Sequence, residues 1–348
     1  MRIILAGGGT GGHVIPNLAV IEELKKHLSA ELLYIGSNDG MDRRMVENSG
    51  VQFFGIPTAK LRRYFSLQNF LDFFRFPMSI WQARKIIKEW KPDVVFATGG
   101  FVSVPVILAA NIFKVPVILY ESDTVPGMAN RLCFKRADKI CLSFEESIAR
   151  IGAVNSKKIV VTGPALRETI FGGDKMRGYK FTKMNQHRPA LLIVGGSQGA
   201  EQINKLVALC LDELLKKFQI VHVRGRGKLD ISLHRQGYVQ YEYLDKELAD
   251  VYAMCDMVVS RGGANSLAEI AALGKKALII PLGRHASRGE QIENAKVYAR
   301  KFGWAMLEGD IGAAGFVQAV EMAYKNGGGG DTGVKNGVRE IVKILLKP

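Results

Sequence analysis

Four glycine-rich runs carry the chemistry that can be read from this sequence: Gly7-Gly8-Gly9-Thr10-Gly11-Gly12-His13, Thr98-Gly99-Gly100, Gly195-Gly196-Ser197-Gln198-Gly199-Ala200 and Arg261-Gly262-Gly263-Ala264-Asn265. Each follows a short apolar run and precedes a helical pattern. Glycine at a strand-to-helix turn lets the backbone approach a ligand, and the helix start offers free N–H groups and a positive dipole end. Together these favour phosphate. Two such turns fall in each half of the chain, which predicts a nucleotide cleft between two facing domains.

The side chains beside these turns narrow the chemistry. Ser197 is placed to contact a phosphate or to cap the next helix. Glu269 stands three residues after Ser266, a spacing that suits either a capping box or a carboxylate accepting both hydroxyls of a ribose. His13 closes the first turn, where an imidazole could take a proton or meet a phosphate. Gly7, Gly9 and Gly12 formally match G-x-G-x-x-G, but the second strand ends in Gly36-Ser37 without the acid that holds a dinucleotide ribose. A dehydrogenase is therefore disfavoured, and no G-x-x-x-x-G-K-[ST] is present. No D-x-D triplet supplies a carboxylate pair for a divalent metal, so neither a metal nor a cofactor is called for. Helix N-termini and basic side chains would then stabilise a diphosphate leaving group.

Such turns need strands and helices in alternation, and the sequence supplies them. Strands are expected over Met1–Ala6, Leu32–Ile35, Asp93–Ala97 and Val117–Tyr120, with helices over Pro16–Leu28, Ser79–Trp90 and Val104–Ile112. The pattern loosens after Gly163-Pro164 and restarts with a strand at Ala190–Val194 and a helix at Gln202–Lys216. Strands at Ile220–Val223, Met257–Ser260 and Ala277–Pro281 follow, with a helix over Ser266–Leu273. The expectation is α/β: two doubly wound Rossmann-like domains, 1–163 and 164–333, with Val334–Leu346 closing as a helix.

Composition sets the remaining bounds. A chain of 348 residues suits two domains, and the four scattered cysteines fit a reducing compartment without zinc. No leader is legible in residues 1–20, and Phe101–Tyr120 is broken by Lys114, Pro105 and Pro116, unlike a spanning helix. The net charge of +15 invites polyanions without choosing among them. Eight basic residues (Lys60, Arg62, Arg63, Arg75, Arg84, Lys85, Lys88 and Lys91) face only Asp72 and Glu89 in the segment Lys60–Lys91. Interleaved with them are Tyr64, Phe65, Phe70, Phe73, Phe74, Phe76 and Trp81. That mixture suits a core helix with a basic face, an anionic membrane surface, or single-stranded nucleic acid.

Taken in order, Gly8–His13 with Pro16, Gly99–Ser103, Gly195–Ala200, Ser260–Glu269 and Gln291–Asn294 resemble the MurG family of peptidoglycan N-acetylglucosaminyltransferases. The resemblance implies a GT-B fold. It also implies transfer of N-acetylglucosamine from UDP-GlcNAc to the polyprenyl-linked muramoyl-pentapeptide acceptor (lipid I), at the cytoplasmic face of the membrane. Carried over by position, Thr10, Gly11 and Gly12 resemble donor-contacting residues, Arg167 a donor-side arginine and Ser197 the phosphate serine. Leu244 matches the position whose backbone meets uracil. Ala264, Asn265, Ser266, Leu267, Ala268 and Glu269 resemble the donor segment, and Gln291 the glutamine that reads the sugar hydroxyls. Two departures stand out. Tyr120-Glu121-Ser122-Asp123 replaces a commoner His-Glu-Gln-Asn, which puts Asp123 at an asparagine contact, and Glu290 replaces a frequent glutamine.

The expected reaction is an inverting, metal-independent displacement with His13 as the first choice of base and Glu121 as the second. The polyprenyl acceptor favours the membrane over nucleic acid as the partner of Lys60–Lys91. The rivals are another GT-B-like enzyme such as a UDP-GlcNAc 2-epimerase, and a noncatalytic polyanion-binding protein.

Overall fold

The computed structural model describes residues 1–9, 11–27, 30–38, 42–58, 67–196, 199–283, 289–309 and 311–348; within 67–74 and 153–155 only the backbone is described. The chain divides into two compact units, Met1–Arg167 with Lys335–Pro348, and Glu168–Val334.

The first unit is built on a seven-stranded parallel sheet. Its strands are β1 (Arg2–Ala6), β2 (Glu31–Ser37), β3 (Gln52–Ile56), β4 (Val94–Ala97), β5 (Val117–Glu121), β6 (Lys139–Leu142) and β7 (Ile159–Val161), in the order β3-β2-β1-β4-β5-β6-β7. The runs Ile3–Ala6 and Val94–Ala97 are buried throughout, as strands covered by helices on both faces must be. The second unit holds β8 (Ala190–Val194), β9 (Gln219–Val223), β10 (Tyr238–Tyr241), β11 (Met257–Ser260), β12 (Lys276–Ile279) and β13 (Ala305–Met306). Their order is β10-β9-β8-β11-β12-β13, again parallel. The expected pair of doubly wound Rossmann-like units is thus observed.

Each order reverses once, between β1 and β4 and between β8 and β11. All four glycine turns follow these four strands. In an open parallel sheet, ligands bind beyond the carboxyl ends at such a switch point. The topology therefore groups the turns into two sites, one on each sheet.

Several elements differ from the sequence expectation. The first helix spans Gly11–Leu24, starting directly after the glycine turn with Pro16 inside its second turn. The helix before β4 runs from Leu67 to Trp90 rather than from Ser79, and it carries Pro77 within it. A further helix, Lys175–Thr182, occupies the supposedly loose stretch, capped by Asp174 accepting from the Arg177 N–H. The closing helix is Val338–Leu346; Val338, Ile341, Val342 and Leu345 share one face and are buried in the first unit. At about 1.5–3 kcal/mol for each large apolar side chain removed from water, that face anchors the chain's return.

The two crossing segments of the first unit are laced together. Asn336 accepts from the Leu166 N–H at 3.1 Å through Oδ1 and donates to the Leu166 carbonyl at 2.8 Å. Tyr120, which stands where the resemblance has a histidine, ties in as well: its Oη accepts from the Ala165 N–H at 2.8 Å and lies 2.6 Å from Ser143 Oγ.

Candidate active site

In the first unit the turns after β1 and β4 meet at His13. Its Nδ1 lies 3.0 Å from the Thr98 carbonyl oxygen. A carbonyl only accepts, so Nδ1 carries the hydrogen, and in the neutral ring the basic lone pair sits on Nε2. The ring lies against the Gly99-Gly100 turn. Gly100 has φ +78°, and a Cβ there would come within 2.4 Å of the Gly8 carbonyl, so only glycine allows the two turns to touch. The backbone of His13 is also held: Thr98 Oγ1 donates to its carbonyl at 2.6 Å and accepts from Asn17 Nδ2 at 2.9 Å. Tyr34 completes this buried chain by donating to the Gly7 carbonyl at 3.0 Å. His13 is therefore oriented by Thr98, which the sequence offered only as part of a glycine run, and by Asn17 and Tyr34, which it did not single out. Asn17 was visible as a lone amide in the apolar run Val14–Ile21.

Glu121 ends β5 and is buried. Its Oε1 accepts from the Asp123 N–H at 3.0 Å, and its Oε2 accepts from the Gly127 N–H at 3.0 Å and Asn130 Nδ2 at 2.9 Å. Burial, with the Asp123 carboxylate close by, pushes the Glu121 carboxyl up to about 7. The carboxylate thus folds residues 121–130 around itself, and Asp123 is placed by its own backbone bond to it. Asn130 is held by both Glu121 and the Tyr120 carbonyl, at 2.9 and 3.1 Å, beside Gly99. The acidic residue behind the first turn is Asp42, whose Oδ2 lies against Gly8 and accepts from the Ser37 N–H at 2.9 Å. Burial raises its carboxyl above the usual carboxylate range. Gly11 and Gly12 open the first helix; Thr10 lies outside the described residues.

In the second unit, Gly195, Gly196, Gly199 and Ala200 form the turn after β8; Ser197 lies outside the described residues. The helix Glu201–Leu215 follows, with Ala200 at its N-cap. Gly199 has φ +71°, and a Cβ there would lie 2.0 Å from the Arg224 carbonyl, so this glycine serves close packing. The turn after β11 leads into the helix Ala264–Ala272, whose N-cap is Gly263. Ser266 is therefore the third residue inside that helix, which removes the capping-box reading of Glu269. Glu269 is buried in the second turn, Leu267 and Ala268 pack inward, and Asn265 and Ser266 are half-exposed.

Gln291 is brought to this same turn, although 22 or more residues separate it from the helix start at Ala264–Glu269 in sequence. Its Oε1 accepts from the Leu282 N–H at 3.1 Å, and Gly262 backs directly onto its carbonyl. Asn294, fully buried, donates to the Gly262 carbonyl at 3.2 Å. Arg261, in the sequence only the first residue of a glycine run, acts through its side chain. Its guanidinium joins Gln202 Oε1 at 2.9 Å to the Ile280 carbonyl at 3.0 Å and so locks the two turns together. Leu244 lies buried just beyond the carboxyl end of β10, and Arg167 is the last residue of the first unit before the chain crosses.

Family models match in both units: the glycosyltransferase family 28 N-terminal domain over residues 3–142 and its C-terminal domain over residues 190–321. The chain belongs to glycosyltransferase family 28. A relative from Clostridium botulinum (strain Loch Maree / Type A3) is 42% identical over 354 residues, covering 99% of each chain. It is described as a UDP-N-acetylglucosamine--N-acetylmuramyl-(pentapeptide) pyrophosphoryl-undecaprenol N-acetylglucosamine transferase. Among solved structures, MurG of Acinetobacter baumannii covers 100% of this chain and 99% of its own, with a TM-score of 0.72 and 22% identity. The UDP-GlcNAc 2-epimerase of Neisseria meningitidis, bound to UDP-GlcNAc, matches with a TM-score of 0.63 at 17% identity over 100% of both chains. The fold is thus a GT-B fold shared by family 28 transferases and epimerases alike, and the full-length relative separates the two. The membership makes the chain a glycosyltransferase.

Proposed function

We propose that the chain transfers N-acetylglucosamine from UDP-GlcNAc to the 4-hydroxyl of the muramoyl sugar in undecaprenyl-diphosphoryl-MurNAc-pentapeptide, giving the disaccharide lipid used in peptidoglycan synthesis. The relative with 42% identity over 99% of the chain carries this reading. We assign the donor to the second unit. Glu269 would accept the ribose hydroxyls, Gln291 the sugar hydroxyls, and the turn at Ser197 the diphosphate, with Leu244 meeting the base; Thr10, Gly11, Gly12, Asp123 and Arg167, which the resemblance gives as donor contacts, belong to the first unit. We assign the acceptor to the first unit, with inversion and without a metal ion.

His13 is the general base in this scheme. Supporting it is the Nδ1–H···O=C bond to Thr98, which puts the lone pair on Nε2 in a ring that lies against the Gly99-Gly100 turn. Glu121 is the second choice; its two oxygens already accept three bonds, which favours organising the loop over moving a proton.

We also place the protein peripherally on the cytoplasmic membrane face. Among the described residues no helix is long and apolar enough to cross a membrane. In the helix Leu67–Trp90, Ser79, Ala83 and Ile87 are buried, while Met78 and Trp81 are 52% and 63% exposed beside exposed Arg75, Arg84, Lys85 and Lys88. Apolar anchors among basic residues suit an anionic headgroup layer. Lys60, Arg62, Arg63, Tyr64 and Phe65 lie outside the described residues, as do the side chains of Phe70, Asp72, Phe73 and Phe74.

The test is turnover of labelled UDP-GlcNAc with a short-chain acceptor analogue in detergent containing EDTA. Label in a disaccharide lipid, of inverted configuration and lost in Glu269→Ala, is the expected result. Stabilisation by UDP-GlcNAc with no label moved would refute the acceptor and reopen the epimerase reading.

A further inference from the structure

Within the second unit a buried polar chain runs from the turn after β8 to the two strands beside it. His222, on β9, is fully buried. Its Nε2 lies 3.0 Å from Asn204 Oδ1, and its Nδ1 lies 2.9 Å from Tyr238 Oη. The Asn204 amide nitrogen donates to the Arg224 carbonyl at 3.1 Å, which leaves Oδ1 as the acceptor. The ring hydrogen is therefore on Nε2, and Nδ1 accepts from the Tyr238 hydroxyl. That hydroxyl in turn accepts from the Arg224 guanidinium at 3.4 Å. Each donor has one acceptor, so the order of the chain is unique. Burial and the charge of Arg224 hold the imidazole neutral, with its pKa down to about 3.

The chain ends at the glycine turn. Asn204 stands on the first turn of the helix Glu201–Leu215, which begins directly after Ala200. The Arg224 carbonyl that it grips is the same oxygen on which Gly199 packs. Arg224 is pinned further: its N–H donates to the Tyr241 carbonyl at 2.9 Å and its Nε to the Lys228 carbonyl at 2.6 Å. A fixed oxygen thus lies under Gly199. An apolar side chain could fill the volume of His222 without any desolvation cost, so what the polar chain adds is a specified position.

We propose that His222, acting through Asn204 and Tyr238, is a positioning residue for the nucleoside diphosphate: it sets where Gly199 and Ala200 stand, and so where the start of the helix Glu201–Leu215 presents its backbone N–H groups. This rests on the assignment of the diphosphate to that turn.

Three variants test it in the full-length enzyme: His222→Leu, Tyr238→Phe and His222→Gln, the last able to donate to Asn204 and accept from Tyr238. UDP affinity is measured by calorimetry, and kcat and KM for UDP-GlcNAc by turnover, well below the Tm of every variant. His222→Leu and Tyr238→Phe are expected to weaken UDP binding about tenfold, the scale of one displaced hydrogen bond, and to raise KM with it. His222→Gln should restore both to within about threefold of the parent. A lowered Tm with parental UDP affinity in either disruptive variant overturns the proposal, because a merely structural residue would behave so. If His222→Leu does not fold, Tyr238→Phe decides. A parent enzyme that fails to bind UDP would sink the donor assignment and the proposal with it.

Discussion

Glu121→Gln isolates one buried charge in the first unit, and its consequence can be worked from the structure. The wild-type carboxyl has an ordinary value of 4.5 and sits at about 7 in the fold. Its folded pKa is raised, so the native state holds the proton more tightly than the unfolded chain does. Stability from this group is fully present below about pH 4.5 and is lost as pH rises through 7. A gap of about 2.5 units at 1.36 kcal/mol each makes the loss about 3 kcal/mol by pH 8. Glutamine keeps the shape but does not titrate, and its NH2 faces backbone donors at Asp123 or Gly127, costing about 1–3 kcal/mol at every pH. The variant should therefore be less stable than wild type at pH 5, where about 1 kcal/mol of the loss has already occurred, and the gap should narrow by about 2.5 kcal/mol towards pH 8. For a unit of this size that is about 5–10 °C in Tm. Calorimetric melting of both proteins at half-unit pH steps measures it. Parallel curves from pH 5 to pH 8 would mean that Glu121 is already ionised at pH 5, and the burial argument would be refuted.

His222 should show the opposite slope. Its folded pKa is lowered to about 3 from 6.5, so the unfolded chain binds the extra proton and stability falls as pH drops below about 6.5. At pH 5 that loss is about 2 kcal/mol, and His222→Gln should lack it in the same melting series. Gly100→Ala, at φ +78° with its new methyl 2.4 Å from the Gly8 carbonyl, should lower stability by more than about 2 kcal/mol and abolish transfer. Gly263→Ala, at φ −71° with open space around the added methyl, should stay within about 1 kcal/mol of wild type when both glycine variants are compared by denaturant titration. Equal losses for the two glycine variants would refute the assignment of Gly100 to close contact.

Much of the site was legible in the sequence because turn chemistry is local. A glycine run between an apolar run and a helical pattern marks a strand-to-helix turn without reference to any other part of the chain. Strands β8 and β11 were read to the residue for the same reason, being short buried runs with sharp ends, apolar throughout in β8 and up to Ser260 in β11. Short or mixed strands such as β3, β6, β7, β10 and β13 were not, since their pairing depends on neighbours far away in sequence. Ser266 shows how local reasoning fails: its spacing to Glu269 fits a capping box, yet Gly263 begins the helix because the turn after β11 is tighter than the side-chain pattern reveals.

What the sequence determined alone, then, was the set of turns, with His13 and Glu269 beside them, and the family to which the order of the motifs belongs, through which Glu121 and Gln291 entered. Only the tertiary structure decided that the turns after β1 and β4 share one switch point and those after β8 and β11 another, because strand order arises from crossovers between distant segments. It alone set the His13 tautomer through Thr98, the burial of Glu121 through Asn130 and Gly127, and the approach of Gln291 to Gly262. Each of these depends on a hydrogen-bond partner or a close contact supplied from elsewhere in the chain, and spacing along the chain carries no record of that partner.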